Sequence, residues 1–218
     1  MTASQNSTHA LLIGNGSLPS KALLEQYALN ASIILVLDSA IVALSKSFPE
    51  LRINVLLGDF DRNFQASAYK QQYPNIKIVH TPDQEKADLE KGIDYLVAEG
   101  YRKIIGLGLT GKRMDHTLSN MSILAKFHPE IELTLIDDYS HIICISDNFE
   151  MYYPKNTIIS LIPMGKVEGI TTQNLYYPLI NGSLELGQQT GSSNKVAADG
   201  NISIQLKKGK LLVMECKD

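Results

Sequence analysis

Residues 103–127 read KIIGLGLTGKRMDHTLSNMSILAKF, and the fold class turns on how they are read. The stretch opens on a continuous apolar run, Lys103–Gly106, crosses the glycines Gly108 and Gly111, and then carries Leu118, Met121, Leu124 and Ala125. A run that is apolar on both faces predicts a parallel strand covered on each side. Apolar positions three and four apart predict a helix over 118–127. The same alternation extends toward the N-terminus, where Ala10–Ile13, Ile33–Leu37, Ile53–Leu57 and Ile76–Val79 are further strand-like runs, and forward to Leu133–Ile136. Leu89, Ile93, Leu96 and Val97 form a helical stripe. Ahead of it, Thr81-Pro82-Asp83-Gln84 predicts a Thr cap with Pro82 in the first helical position, and Asp83 and Glu85 complementing the helix dipole. Glu90 and Lys91 are assigned to the solvated face of that helix. Alternating strands and helices predict an α/β domain with a mostly parallel sheet over residues 1–138.

Beyond residue 138 the helical signal stops. Ile142–Ile145, Thr157–Ile162, Gly169–Thr172, Ser183–Leu186, Asn201–Leu206 and Leu211–Glu215 are short strand-like runs separated by Gly, Pro and Asn. Lys207-Lys208-Gly209-Lys210 is a turn into the last of them. So many strands in so short a span predict an all-β sandwich over residues 139–218.

Composition narrows the function classes. The 218 residues carry a net charge of −3, 44% hydrophobic and 20% charged side chains, ordinary values for a globular protein. With a pI near 6.0 the chain lacks the electrostatic footprint of a nucleic-acid binder. No apolar run approaches the roughly 20 residues that cross a bilayer. Met1–His9 lacks a basic segment followed by an apolar core, so no secretory signal is expected. Cys144 and Cys216 are far apart, which suits a reducing cytoplasm better than a disulfide framework.

Two glycine loops invite nucleotide readings. Gly14-Asn15-Gly16 follows a strand, yet the third glycine of a dinucleotide fingerprint is missing, so a tight strand-to-helix turn is the better reading. Gly106 through Lys112 fits G-x-x-x-x-G-K, but Arg113 stands where a P-loop needs Ser or Thr to hold magnesium. A guanidinium cannot ligate a cation, although such a loop can still meet phosphate in another way.

Carboxylates give a stronger signal. Asp38, Asp59, Asp61, Asp88 and Asp115 all fall at or soon after predicted strand ends, where open α/β sheets bind ligands. One strand-end Asp is commonly a turn or helix cap. Asp59 and Asp61 in Gly58-Asp59-Phe60-Asp61 differ, because an extended backbone would point both the same way, and like charges so close repel unless a cation lies between them. All-oxygen donors suggest magnesium rather than zinc. His116 beside Asp115 reads either as a base or as a hydrogen-bonded structural group.

Taken together, these segments resemble the thiamin pyrophosphokinase family. Gly58-Asp59-Phe60-Asp61 is similar to that family's G-D-F-D-S signature. Pro82-Asp83-Gln84 with Asp88-Leu89-Glu90-Lys91 is similar to its P-D-Q…T-D-L-E-K stretch, and residues 110–120 to its T-G-x-R-x-D-H-T-L-x-N segment. Ser160-Leu161-Ile162-Pro163, Thr171-Thr172 through Pro178-Leu179, and Gly191-Ser192-Ser193-Asn194 resemble S-L-I-P, T-T-x-G-L-x-(W/Y)-P-L and G-T-S-N. Departures fall at Ser39 and Val42, in place of Gly and Asn, at Arg62 in place of Ser, and at Ala87 in place of Thr.

The resemblance implies an Mg-dependent ATP:thiamine diphosphotransferase, a homodimer with active sites between subunits, and composition makes the cytoplasm its expected place. It implies catalytic roles for Asp59, Asp61, Asp88 and Asp115, with Asp59, Asp61 and Asp88 holding Mg2+. It further implies that Asp38, Gln84, Arg113, Asp115 and His116 meet ATP, while Tyr177, Ser192, Ser193 and Asn194 receive thiamine. Two alternatives belong beside it. One is a member reduced to binding thiamine or a nucleotide, motivated by Ser39 and Val42; the other is a diphosphokinase acting on a related hydroxylated heterocycle.

Overall fold

The computed structural model describes residues 8–60 and 64–218, which form two compact units. One takes in the described residues through Ile123 together with Ile131–Asp138; the other takes in Leu124–Glu130 and Tyr139–Asp218.

In the first unit, strands β1 (His9–Ile13), β2 (Ala31–Leu37), β3 (Val55–Gly58), β4 (Lys77–His80), β5 (Lys103–Leu107) and β6 (Glu132–Ile136) alternate with helices. These are α1 (Lys21–Leu29), α2 (Ala40–Ser47), α3 (Asp88–Ala98) and α4 (Met114–Phe127), and a short 3-10 turn at Ala66–Lys70 lies between β3 and β4. The strands pair in parallel in the order β6-β5-β1-β2-β3-β4. Every residue of β1 is buried, as its uninterrupted apolar run requires of a central strand. From β1 the chain winds outward to β4, then returns to the opposite side of β1 as β5. The direction of winding therefore reverses between β1 and β5. Such a reversal, at the carboxyl ends of the strands, is where open α/β sheets bind ligands.

The structure corrects the expected start of α3. Its first residue is Asp88, not Pro82, and its N-cap is Ala87, not Thr81. Thr81 instead continues from β4, its N–H donating to the Gly58 carbonyl at 2.9 Å, and its hydroxyl is buried without a partner among the described residues. The Asp83 carboxylate accepts from the Glu85 N–H at 2.8 Å, a local turn that competes with helix. Asp83 and Glu85 thus belong to a loop, and Asp88 and Glu90 are the acids of the first helical turn. Lys91 is corrected too: it is buried, not solvated. The helix expected over 118–127 begins four residues earlier, at Met114.

In the second unit, β7 (Ser140–Ile145), β8 (Phe149–Tyr153), β9 (Ile158–Pro163), β10 (Lys166–Gln173), β11 (Gly182–Glu185), β12 (Gly191–Lys195), β13 (Gly200–Gln205) and β14 (Leu211–Cys216) are antiparallel. They form the runs β12-β9-β14-β7 and β11-β10-β13-β8. Apolar side chains from the two runs share one core, in which Leu161, Leu211 and Val213 of the first meet Val167, Ile170, Ile202 and Ile204 of the second. The Lys207–Lys210 turn carries the chain from one sheet to the other, since β13 and β14 pair with different neighbours. Strands β8 and β12 have no counterpart among the runs expected from sequence. β12 is polar and β8 is mostly exposed, so neither shows an apolar run buried on one face, and pairing with β9 and β13 recruits them. No helix among the described residues is long and apolar enough to cross a membrane.

Candidate active site

The site is built on the loops around the β1–β5 reversal. Gly14-Asn15-Gly16 after β1 and Gly108–Arg113 after β5 are joined by main-chain bonds: Gly14 N–H to the Leu107 carbonyl at 2.9 Å, Gly16 to Gly108 at 2.6 Å and Ser17 to Thr110 at 2.8 Å. A Cβ on Gly16 would stand 2.3 Å from the Thr110 carbonyl oxygen, so no other residue fits this approach. These glycines therefore serve loop-to-loop contact, in keeping with a tight strand-to-helix turn. The β5–α4 loop is held from behind as well. Asn120 Nδ2 donates to the Leu109 carbonyl at 2.7 Å, and the Thr110 hydroxyl donates to Asp137 at 2.6 Å.

Carboxylates from three elements, β2, β3 and α3, reach the same cavity as the glycine loops. Asp38 follows β2 with φ 43° and donates its N–H to the Leu57 carbonyl at 2.7 Å. Asp59 follows β3, and its Oδ2 accepts from Gln84 Nε2 at 2.8 Å. Asp88 opens α3. Together with Lys91, Lys112, Arg113 and His116 these residues line a cavity of about 470 Å³. Burial pushes the Asp88 carboxyl above its ordinary value; Lys91 opposes that shift, and the charges of Asp38 and Asp59 add to it. The carboxylates thus feel one another. The first turns of α3 and α4 also contribute to the wall, and helix N-termini favour anions.

Several expected residues fall elsewhere. Asp115 pairs with Arg113 on the α4 surface and is not part of the cavity wall. The Arg113 guanidinium holds its carboxyl down at about 2. Asp61 lies outside the described residues. The extended Asp59-Phe60 geometry expected from sequence does not occur: Phe60 has φ 46°, and its ring stacks on Phe64 and His80 at 5.5 and 6.1 Å.

In the second unit, Tyr177 is 75% exposed. Its main chain is held by the buried Asn194, whose Oδ1 accepts from the Tyr177 N–H at 3.1 Å and whose Nδ2 donates to the Tyr177 carbonyl at 2.8 Å. The Asn194 amide thus substitutes for a strand neighbour and fixes the base of the tyrosine. Ser193 has φ 56° and donates its N–H to the Ser160 hydroxyl at 3.0 Å, and Ser192 is exposed.

Sequence reasoning missed Lys91 and Asn15. Lys91 carries a signal that could have found it: it stands three residues after Asp88, on the same helical face, and its Nζ lies 3.4 Å from Asp88 Oδ1. Lys112 survives from the rejected P-loop pattern, since the cavity keeps the lysine although the metal-binding hydroxyl is absent.

The donor chemistry of Asp38, Asp59 and Asp88 fits a hard divalent cation, because all three offer carboxylate oxygens and the negative charge of the other two acts on Asp88. Among the described residues no group of three converges into a complete metal set.

Comparison with known proteins bears on both units. The description "Thiamin pyrophosphokinase, catalytic domain" matches residues 24–135, and "Thiamin pyrophosphokinase, vitamin B1 binding domain" matches residues 140–211. Thiamin pyrophosphokinase 1 of Caenorhabditis elegans is 30% identical over 164 residues, 69% of this chain and 65% of that protein. The chain therefore spans slightly less than two thirds of that relative. The fold is similar to that of thiamine pyrophosphokinase from Bacillus subtilis, with a TM-score of 0.81 at 23% identity over 97% of this chain and 100% of the other. It is likewise similar to a probable thiamine pyrophosphokinase from Staphylococcus saprophyticus, with a TM-score of 0.71 at 28% identity over 97% and 100%. With both halves matched in order, and with strand-end carboxylates lining the same cavity as the glycine loops, this chain belongs to the thiamin pyrophosphokinase family.

Proposed function

We propose that the chain transfers a pyrophosphoryl group from ATP to the hydroxyl of thiamine, giving thiamine diphosphate and AMP. The observation that carries this reading is the cavity at the β1–β5 reversal, whose lining combines the carboxylates Asp38, Asp59 and Asp88 with Lys91, Lys112, Arg113 and the starts of two helices. That polarity suits a triphosphate with an accompanying cation. In the step, the thiamine oxygen bonds to the β-phosphorus and loses its proton to solvent, while the bond from that phosphorus to the α–β bridging oxygen breaks and AMP leaves with the electron pair. Such chemistry asks the protein for alignment and charge neutralisation more than for covalent participation.

The chain's own groups divide that work. Lys112 and Arg113 bring positive charge to the phosphates, and Gln84 fixes the Asp59 carboxylate by its 2.8 Å bond. Lys91 fixes Asp88. Asp38 and His116 face the nucleotide from the cavity wall, and Asp115 acts through Arg113. Asp59, Asp61 and Asp88 would hold Mg2+, which neutralises phosphate charge when bound. Tyr177 is assigned to thiamine, its exposed ring serving as a platform for the cationic heterocycle, with Ser192 and Ser193 beside it and Asn194 fixing its main chain. Residues 1–138 are thereby the nucleotide half and residues 139–218 the thiamine half.

We further propose a cytoplasmic homodimer whose sites are shared between subunits; free Cys144 and Cys216 suit a reducing compartment. The purified chain, given ATP, Mg2+ and thiamine, is expected to form AMP and thiamine diphosphate in equal amounts by chromatography. ADP with thiamine monophosphate, or no product, would overturn the reaction. Sedimentation showing only a 24.1 kDa species at full activity would overturn the shared site.

A further inference from the structure

Ser39 stands immediately before α2, where a serine ordinarily accepts a bond from the first turn of the helix. Among the described residues it makes no such bond, whereas Ser20 before α1 caps with Leu23 N–H at 3.4 Å. The Ser39 hydroxyl instead accepts from Asn15 Nδ2 at 2.7 Å. The other face of the same amide is also engaged: Lys112 Nζ donates to the Asn15 main-chain oxygen at 3.1 Å and to its Oδ1 at 3.4 Å. One short side chain therefore joins the loops after β1, β2 and β5. Lys112 at one end of this chain of bonds has left-handed backbone, φ 52°, and so does Asp38, φ 43°, the residue before Ser39 at the other, conformations that persist only where surrounding contacts hold them.

The loops after β1 and β5 are already joined by main-chain bonds. The loop after β2 is not part of that zipper, and the Asn15–Ser39 bond ties it in. Asp38 and Lys112 line the same cavity and carry opposite charges. A bond network that fixes their separation fixes the width of the nucleotide site.

We propose that Asn15 is a positioning residue for the nucleotide: it aims the Lys112 ammonium into the cavity and, through the Ser39 hydroxyl, ties the Asp38 loop to the same frame. Ser39 is a departure from the resembled family pattern, so the hydroxyl does here what a glycine could not. The inference rests on the nucleotide reading of the cavity proposed above.

Calorimetric titration of the full chain with α,β-methylene-ATP and Mg2+ tests it, alongside steady-state kinetics and melting curves. Asn15→Ala, which removes the bonds of the side chain to Lys112 and Ser39 but keeps the main-chain oxygen, should weaken binding about tenfold, and Ser39→Ala, which removes one neutral bond, about threefold. The KM for thiamine and the melting temperature should stay unchanged, and Ser39→Thr, which keeps the hydroxyl, should restore binding. Combining Asn15→Ala with Lys112→Met should cost no more than about threefold beyond Lys112→Met alone, the share that Asn15 carries through Ser39. Parental affinity in Asn15→Ala, or additive losses in the double variant, would overturn the relay. So would a fall in melting temperature that tracks the loss, with Ser39→Thr no better than Ser39→Ala. Failure of the parent chain to bind the analogue would overturn the nucleotide reading itself, and the relay with it.

Discussion

Gly92→Ala in the middle of α3 sets two opposed effects against each other, and the structure decides between them. Alanine is the better helix former by about 1 kcal/mol. Yet Gly92 faces the sheet, and a Cβ there would lie 2.8 Å from Leu12 Cδ1 and 3.0 Å from Leu37 Cδ2. Leu12 is fully buried and Leu37 nearly so, so neither methyl has free space to turn into. Overpacking of this kind costs about 1–3 kcal/mol, which exceeds the propensity gain. A net loss of about 1 kcal/mol is expected, equivalent to a fall of about 2–4 °C in melting temperature for a chain this size. The functional effect should be larger than the thermal one. The residue lies one turn from Asp88 and next to Lys91, so pushing α3 off the sheet displaces two cavity residues, and small misplacements are costly in phosphoryl transfer. Differential scanning calorimetry and product chromatography on the same preparation measure both. An equal or higher melting temperature with parental turnover would refute the claim that close helix–sheet packing holds the acidic wall in place.

Lys91→Met should fold yet lose about a hundredfold in turnover, because the cavity loses a buried cation beside Asp88; parental kcat would show the ammonium to be structural. Asp59→Asn should lower turnover by at least as much, with Gln84 still able to bond the new side chain, and near-normal rates at saturating Mg2+ would remove Asp59 from the reaction. Tyr177→Ala should raise the thiamine KM about tenfold while Tyr177→Phe and the ATP KM hardly change, and an unchanged thiamine KM would reject the platform. Burial lowers the His141 and His128 imidazoles from 6.5. Each then contributes stability that is complete above 6.5 and is lost as pH falls through its lowered value. Melting temperature should drop across that window, and His141→Gln should flatten the drop; an identical slope in parent and variant would refute the linkage.

The fold is legible wherever burial imposes a period. β1, β2 and β5 are apolar on both faces because helices cover both, and their runs announce it. β12, by contrast, is Gly-Ser-Ser-Asn-Lys and has no local reason to be a strand; pairing with β9 makes it one. The start of α3 misleads because Thr81-Pro82 carries strong capping chemistry while Ala87 carries none, and the Asp83 turn breaks the helix in between. Of the candidate site, Asp38, Asp59 and Asp88 are legible, since they fall at or soon after strand ends along the chain. Asn15 and Lys91 are not. Their roles depend on partners brought together from separate loops, or on which side of a helix meets the sheet, and neither is encoded in spacing alone.

β4 ends the parallel order after four residues, and its edge has a consequence for the protein in bulk. Its outer residues are the exposed Lys77 and His80, with Lys77 Nζ 3.3 Å from Glu99 Oε1 and 5.0 Å over the Tyr95 ring. A strand this short, with a tethered cation at its beginning, is a poor template for another chain to extend. Concentrated solutions should therefore resist edge-to-edge growth into fibres, and a more apolar β4 would weaken that safeguard at the very border of the sheet that presents the acidic wall.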